Sequence, residues 1–191
     1  MADPVLHVLA GPNGSGKSSF ARLTLLPELK LEFVNADEIA AVRWPEAREQ
    51  HGYEAAQLAA HHRAELIKRR ASFVTETVFS HESKVDLIDE AIATGYVVFL
   101  HVFIVPVELA VVRVGIRSEE GGHDVPDDKI RSRFDRLWPL VSTAVRRVQH
   151  ARIYDTSRAG AVREVAAFER GQALRPPAWP TWTPAPLRAL A

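Results

Sequence analysis

Residues 5–19, Val5-Leu6-His7-Val8-Leu9-Ala10-Gly11-Pro12-Asn13-Gly14-Ser15-Gly16-Lys17-Ser18-Ser19, decide how the rest of the chain is read. Val5 to Ala10 is a short apolar run of the kind that forms a buried strand. It empties into Gly11-x4-Gly16-Lys17-Ser18, the full phosphate-binding loop pattern. Phe20, Leu23 and Leu26 then begin helical spacing, so the loop sits between a strand and a helix, the setting that gives the motif its meaning. Gly11, Gly14 and Gly16 let the backbone curl so that N–H groups point inward at phosphate oxygens, backed by the helix N-terminus. Pro12, Asn13, Ser15 and Ser19 complete the expected nucleotide cradle. Lys17 is expected to reach the β- and γ-phosphates, and the Ser18 hydroxyl to ligate Mg²⁺.

Composition narrows the classes. The chain has 191 residues, 47% hydrophobic and 25% charged, which suits a soluble globular domain with a sizeable core. Lys plus Arg and Asp plus Glu both number 24, so bulk charge makes no case for nucleic acid or an anionic membrane. Cysteine is absent, which removes disulfides, thiolate metal sites and a cysteine nucleophile. No leader is read at Met-Ala-Asp-Pro, and the longest apolar stretch, Tyr96 to Val107, is interrupted by His101 and Pro106. A cytoplasmic location is expected.

Outward from the loop, strands alternate with helices. Pro27 is expected to stop the loop helix, and Leu31-Glu-Phe-Val34 reads as a strand ending in Asn35-Ala-Asp37-Glu38. A long helix is expected from about Glu46 to Arg70, with Ala55, Leu58, Ala59, His62 and Leu66 on one face. Ser72 to Thr77 reads as a strand ending in Glu76 and Thr77, with Ser80 just beyond. A helix striped by Val85, Ile88 and Ile92 closes at Gly95. Tyr96 to Val105 reads as a central buried strand. The next helix opens at Pro106, with Leu109, Val112 and Ile116 expected inward and Arg113 and Arg117 as neighbours one turn apart.

Gly121-Gly-His123-Asp-Val-Pro126 reads as a flexible loop. The helix beyond it is striped by Ile130, Phe134, Leu137, Val141, Val145 and Val148, with a kink or break expected at Pro139. A last short strand at 152–155 and a helix from about Gly160 to Arg170, carrying Val162, Val165 and Phe168, complete the pattern. The alternation implies an α/β fold: a P-loop kinase-like three-layer sandwich, its mostly parallel sheet flanked by helices on both faces. Residues 1–172 form the expected domain, with a lid around 117–136. Residues 173–191, rich in Pro and Trp, form a tail without regular structure, loose or laid over the surface through Trp179 and Trp182.

The loop specifies a nucleotide and leaves three classes open: a small-molecule kinase, a mechanical or signalling NTPase, and a nucleotide-gated binding module. The guanine-reading Asn/Thr-Lys-x-Asp and the Leu-Ser-Gly-Gly signature are both missing from the sequence. A kinase needs an acceptor-activating carboxylate near the γ-phosphate and arginines to stabilise transferring charge. Asp37 suits the first task and Arg113 and Arg117 the second, although Asp37 also suits a helix N-cap.

Gly-Pro-Asn-Gly-Ser-Gly-Lys-Ser, Asn35-Ala-Asp37, Glu76-Thr-Val-Phe-Ser80, Arg113…Arg117…Gly121-Gly-His-Asp-Val-Pro126 and Tyr154-Asp-Thr-Ser157, in that order, resemble the zeta toxin family, and more narrowly its short stand-alone branch. The resemblance implies ATP/Mg²⁺-dependent phosphoryl transfer to the sugar of a UDP-activated N-acetyl amino sugar. It implies that Asp37 acts on the acceptor hydroxyl, that Glu76 helps hold the acceptor with Thr77, Ser80 and His123 beside it, and that Arg113 contacts the transferring phosphate. Two departures stand out. His123 lies where the larger toxins have a second phosphate-contacting arginine, for which Arg117 or Arg133 is the substitute on offer. Ser80 lies where they have a basic residue. The expected partner is a small-molecule phosphoryl acceptor; an antitoxin would accompany the resemblance, but these residues do not show one.

Overall fold

In the computed structural model, which describes residues 3–119 and 125–190, the apolar run before the loop is β1 (Val5–Ala10), buried along almost its whole length. It lies between β3 (Phe73–Thr77) and β4 (Val97–Ile104), parallel to both. β2 (Glu32–Val34) pairs in parallel with β3, and β5 (His150–Asp155) with β4. β6 (Arg163–Glu169) and β7 (Gln172–Ala173) extend the sheet antiparallel, giving the order 2-3-1-4-5-6-7. The five parallel strands direct their C-terminal ends to one edge, where ligands of open α/β sheets bind.

The two faces of the sheet are covered unequally. The larger core lies under α4 (Gly52–Lys68), α5 (Ser83–Ala93), α7 (Asp127–Arg147) and α8 (Ala185–Arg188), joining Leu66, Ile88, Leu137, Val141 and Leu187 to Leu6, Leu100 and Ile153. On the other face Leu9, Val74 and Phe103 pack under Phe20, Leu25 and Leu26 of the loop helix. Beside that patch lies a column of rings. His7 stacks on Phe99 at 5.0 Å, Phe99 stacks on His150 at 4.5 Å, and His7 Nδ1 and His101 Nε2 are 3.1 Å apart. α3 (Ala36–Arg43) follows β2, and α6 (Val107–Glu119) follows β4.

Several expectations are corrected, each for a local reason. The loop helix does not stop at Pro27. It runs as α1 (Lys17–Phe20), a π-helical stretch Ala21–Leu25 and α2 (Leu26–Leu29), so Pro27 falls in a first turn where its missing N–H costs little. The extra π residue also rotates the inner stripe, leaving Leu23 81% exposed and bringing Leu25 inward. On α4 the inward residues are Ala55, Ala59, Arg63, Leu66 and Ile67; His62 faces out and meets Glu32 at 2.6 Å. On α6 it is Ala110 and Val114 that are buried, and Val112 and Ile116 that are exposed.

Pro139 breaks nothing: α7 is one helix, and Pro139 sits on its solvent side, where water can take the carbonyl it displaces. The segment read as a helix from Gly160 is β6. A register shift at Ile153/Tyr154 puts an extra residue into β6, which breaks the two-residue alternation and leaves apolar residues three apart, as in a helix. Beyond β7 the chain is held to β6 by Leu174 N donating to Ala167 O and Ala178 N donating to Val165 O. It then forms the short α8, with Trp179 and Trp182 packed against the larger core.

Candidate active site

The loop's backbone is built around positive φ. Gly14 (φ 74°) passes so close to α6 that an added Cβ would meet Ala110 O at 2.6 Å, whereas Gly16 (φ 84°), the N-cap of α1, has nothing within 4 Å. The loop is fastened from below by the segment after β5: Thr156 Oγ1 donates to Ser15 O at 2.9 Å. Asp155 fixes that segment in turn, accepting from Ser157 N at 2.8 Å and from Arg163 at 3.0 Å. Burial works against its charge, but these hydrogen bonds hold its carboxyl below the usual range.

Four side chains converge from the ends of β1, β2 and β3. Lys17 is buried, donates from Nζ to Pro12 O at 2.8 Å, and lies 3.8 Å from Glu76 Oε1. Ser18 Oγ donates to the same Glu76 oxygen at 2.9 Å, and Asn35 Nδ2 donates to the other at 3.0 Å. Asn35 also caps α3, its Oδ1 accepting from Asp37 N at 2.8 Å. The cap is therefore Asn35, which leaves the Asp37 carboxylate exposed and lining the cleft. Burial pushes the Glu76 carboxyl up, against the pull of Lys17 and the Ser18 hydrogen bond, with Asp37 and Glu38 adding repulsion. Burial likewise pushes Lys17 down, against Glu76 and Asp37, and the positive charge of Arg117 pushes the same way. An ammonium buried this deeply, held among the described residues by one carboxylate and one carbonyl, is poised for further anionic oxygens.

Arg113 approaches the loop with long contacts, Nη1 to Gly14 O at 3.5 Å and Nη2 to Ser157 O at 3.4 Å. Arg117 and Arg133 line the same cleft, as do Asn13, Gly14, Ser15, Gly16, Ser19, Thr77 and Ser80. Gly11 and Pro12 are buried beneath. His123 lies outside the described residues, as do Gly121, Gly122 and Asp124 of the same loop. The cleft encloses about 1510 Å³. A site for one small ligand usually takes roughly 300–1,000 Å³, so this one has room for two.

Sequence reasoning gave no site role to Asn35, Thr156, Arg63 or Lys84. It also missed Phe79, which is buried in a left-handed conformation (φ 66°) at the turn after β3, its N–H donating to Thr77 Oγ1 at 3.1 Å. A left-handed, buried, non-glycine residue marks a turn fixed by its surroundings, and no sequence signal flagged it. The oxygens of Ser18 and Glu76 fit a hard, octahedral cation such as Mg²⁺, which takes one or two protein oxygens and completes its shell with phosphate and water.

A 2-3-1-4-5 parallel core, a phosphate loop after its middle strand and a carboxylate at the end of the neighbouring strand define a P-loop kinase fold. More narrowly, the chain belongs to the zeta toxin family, whose profile, described as Zeta toxin, matches residues 1–163. Among solved structures it is similar to a chain of AvrRxo1-ORF1:AvrRxo1-ORF2 with sulphate ions, at a TM-score of 0.72 and 22% identity. That match covers 90% of this chain and 60% of the other, so this chain spans less than two thirds of that relative's length. The same pair is also known with ATP. The PezAT chromosomal toxin-antitoxin system of Streptococcus pneumoniae matches at a TM-score of 0.64 and 17% identity, over 85% of this chain and 71% of that one. Shikimate kinase from Acinetobacter baumannii matches at 0.50 and 21%, over 74% and 80%. No curated protein matches the chain. Among the described residues no helix is long and apolar enough to cross a membrane.

Proposed function

We propose that the protein is an ATP- and Mg²⁺-dependent kinase that transfers the γ-phosphoryl group to a hydroxyl of a small molecule, a UDP-N-acetyl amino sugar being the acceptor that the family membership suggests. One observation carries the reading: Lys17, Ser18 and Glu76 meet at the phosphate loop, with Asp37 one strand over, in a cleft large enough for two substrates. An AvrRxo1 structure with ATP supports the choice of donor.

In this reading the loop amides and Lys17 hold the donor phosphates, with Ser18 and Glu76 as the oxygens beside which Mg²⁺ binds. The metal supplies charge neutralisation on the phosphates. Asp37 orients the acceptor hydroxyl and takes its proton as the oxygen attacks in line. Glu76, Thr77 and Ser80 hold the acceptor, with Glu76 giving up one of its present hydrogen bonds to do so. Arg113 and Arg117 stabilise the charge spread over the transferring group. An antitoxin partner and a cytoplasmic location complete the proposal; PezAT is a toxin–antitoxin system, which supports the former.

The test is to incubate the protein with ATP, Mg²⁺ and a panel of UDP-sugars, nucleosides and aminoglycosides, and to look by mass spectrometry for a gain of one phosphate. Phosphorylated UDP-N-acetyl sugar, abolished by Asp37→Asn, is the expected result. ATP binding without any phosphorylated acceptor would sink the kinase reading, and a different phosphorylated acceptor would replace the sugar.

A further inference from the structure

The acceptor side of the cleft carries two cations that the chemistry above leaves unused. Arg63, on α4, is 5% exposed, and Lys84, in the first turn of α5, is half-buried; both line the cleft alongside Thr77, Phe79 and Ser80. Neither makes an ion pair among the described residues. The Arg63 guanidinium reaches the Thr75 hydroxyl at a long 3.5 Å, and that hydroxyl already donates to Val34 O at 2.9 Å. Lys84 Nζ reaches Ser83 Oγ at 3.4 Å. The two also repel each other: burial pushes Lys84 down and Arg63 pushes it further, while burial alone pushes Arg63 down. A guanidinium carries five donors, and a buried charge without a partner is costly. A second, half-buried cation facing the same cleft raises that cost, and an anion between the two lowers it.

We propose that Arg63 and Lys84 form a second phosphate subsite, which takes a phosphate or diphosphate group carried by the acceptor. The inference rests on the kinase reading and narrows its acceptor to phosphate-bearing small molecules. Its place in the fold suits the role. Arg63 touches Thr75, one residue before Glu76 on β3, and Lys84 starts the helix that follows the Thr77–Ser80 turn. An acceptor anchored there lies against the strand end that carries Glu76, with its hydroxyl free to approach Asp37. The donor's phosphates are held by the loop and the acceptor's by α4 and α5, so the two substrates do not compete for one cradle.

The test is a calorimetric titration of inorganic pyrophosphate into the full chain saturated with a non-hydrolysable ATP analogue, with Mg²⁺ in excess. One further site is expected, weakened about tenfold or more by Lys84→Gln, the scale of one lost charge-assisted contact, while affinity for the analogue stays unchanged. Arg63→Lys is expected to weaken it less than Arg63→Gln, because the charge survives and the fork does not. If Arg63→Gln does not fold, the half-buried Lys84 position decides. No pyrophosphate bound by the loaded wild type, or binding that Lys84→Gln leaves intact, overturns the proposal. A second arm uses UDP-N-acetylglucosamine as acceptor: Lys84→Gln is expected to raise its KM about tenfold with kcat nearly unchanged, and an unchanged KM overturns the subsite. A wild type that binds pyrophosphate as described but leaves this sugar nucleotide unphosphorylated supports the subsite and removes that acceptor from the proposed function.

Discussion

The two halves of the cleft, which the proposed function assigns to donor and acceptor, are built on different plans. The donor half is backbone: one contiguous loop whose glycines hold positive φ and whose path is fixed by α6 on one side and Thr156 on the other. The acceptor half is side chains brought in from α3, α4, the end of β3 and the start of α5. A backbone cradle recognises the one group that all nucleoside triphosphates share and tolerates little change. A wall of side chains from four elements can be rewritten one residue at a time, so the same fold can keep its donor and change its acceptor.

The sharpest way to break this contrast is at Asp37. Asp37→Asn keeps the shape, and its backbone N–H stays with the Asn35 cap, so a fall of about 10²–10⁴ in turnover is expected with nucleotide affinity nearly unchanged. Equal losses in both, measured by steady-state kinetics beside direct nucleotide binding, would place Asp37 in the donor half. Lys17→Met comes next, with about 10²–10³ lost in turnover and nucleotide affinity falling alongside it. The same change leaves Glu76 buried without its cation, so its carboxyl is expected to rise further, visible as a more protonated Glu76 by infrared difference spectroscopy.

A third comparison stays within the loop. Gly14→Ala must both hold a left-handed conformation and displace the Ala110 carbonyl, whereas Gly16→Ala meets only the conformational cost, about 1–2 kcal/mol. Denaturant titration should therefore rank Gly14→Ala as clearly the more destabilising, and nucleotide binding should fail with it first. The smallest effect on catalysis belongs to the ring column on the thinly covered sheet face. Burial pushes His7 down to about 4, and burial, helped by the positive charge of His7 and Arg152, pushes His101 down to about 3. In the unfolded chain both titrate near ~6.5, so below that pH the unfolded state takes up protons that the folded state refuses. Stability is thus whole above pH 6.5 and falls as the pH is lowered towards 4 and then 3. A His101→Leu variant should flatten the Tm-against-pH curve across that window and leave turnover alone.

The same contrast governs what could be read from the sequence. β1, the loop and the start of α1 are one uninterrupted stretch in which each residue type has a single backbone job, so motif and fold were legible together. Asp37 and Glu76 stand out in the sequence because strand ends are recognisable, but their mutual arrangement is not legible there. That Asn35 is the cap, and that it also holds Glu76, depends on β2 and β3 being neighbours through a crossover of nearly forty residues (Asn35 to Phe73). Arg63 was hidden inside an ordinary helical stripe, where an inward-facing arginine looks like any solvated face until the register of α4 is known. The misread segment at 163–169 failed for a cleaner reason, since one bulged residue turns the two-residue period of a strand into the three-residue spacing of a helix.

The docking of the tail has an optical consequence. Three of the four tryptophans, Trp138, Trp179 and Trp182, pack with the larger core where the tail lies, while Trp44 stacks on His51 at 4.5 Å, just ahead of α4. Intrinsic fluorescence is therefore dominated by emitters that report whether the tail is seated and the core intact. A Phe at each of 138, 179 and 182 would silence that background and leave Trp44 as a single emitter beside the helix that carries Arg63.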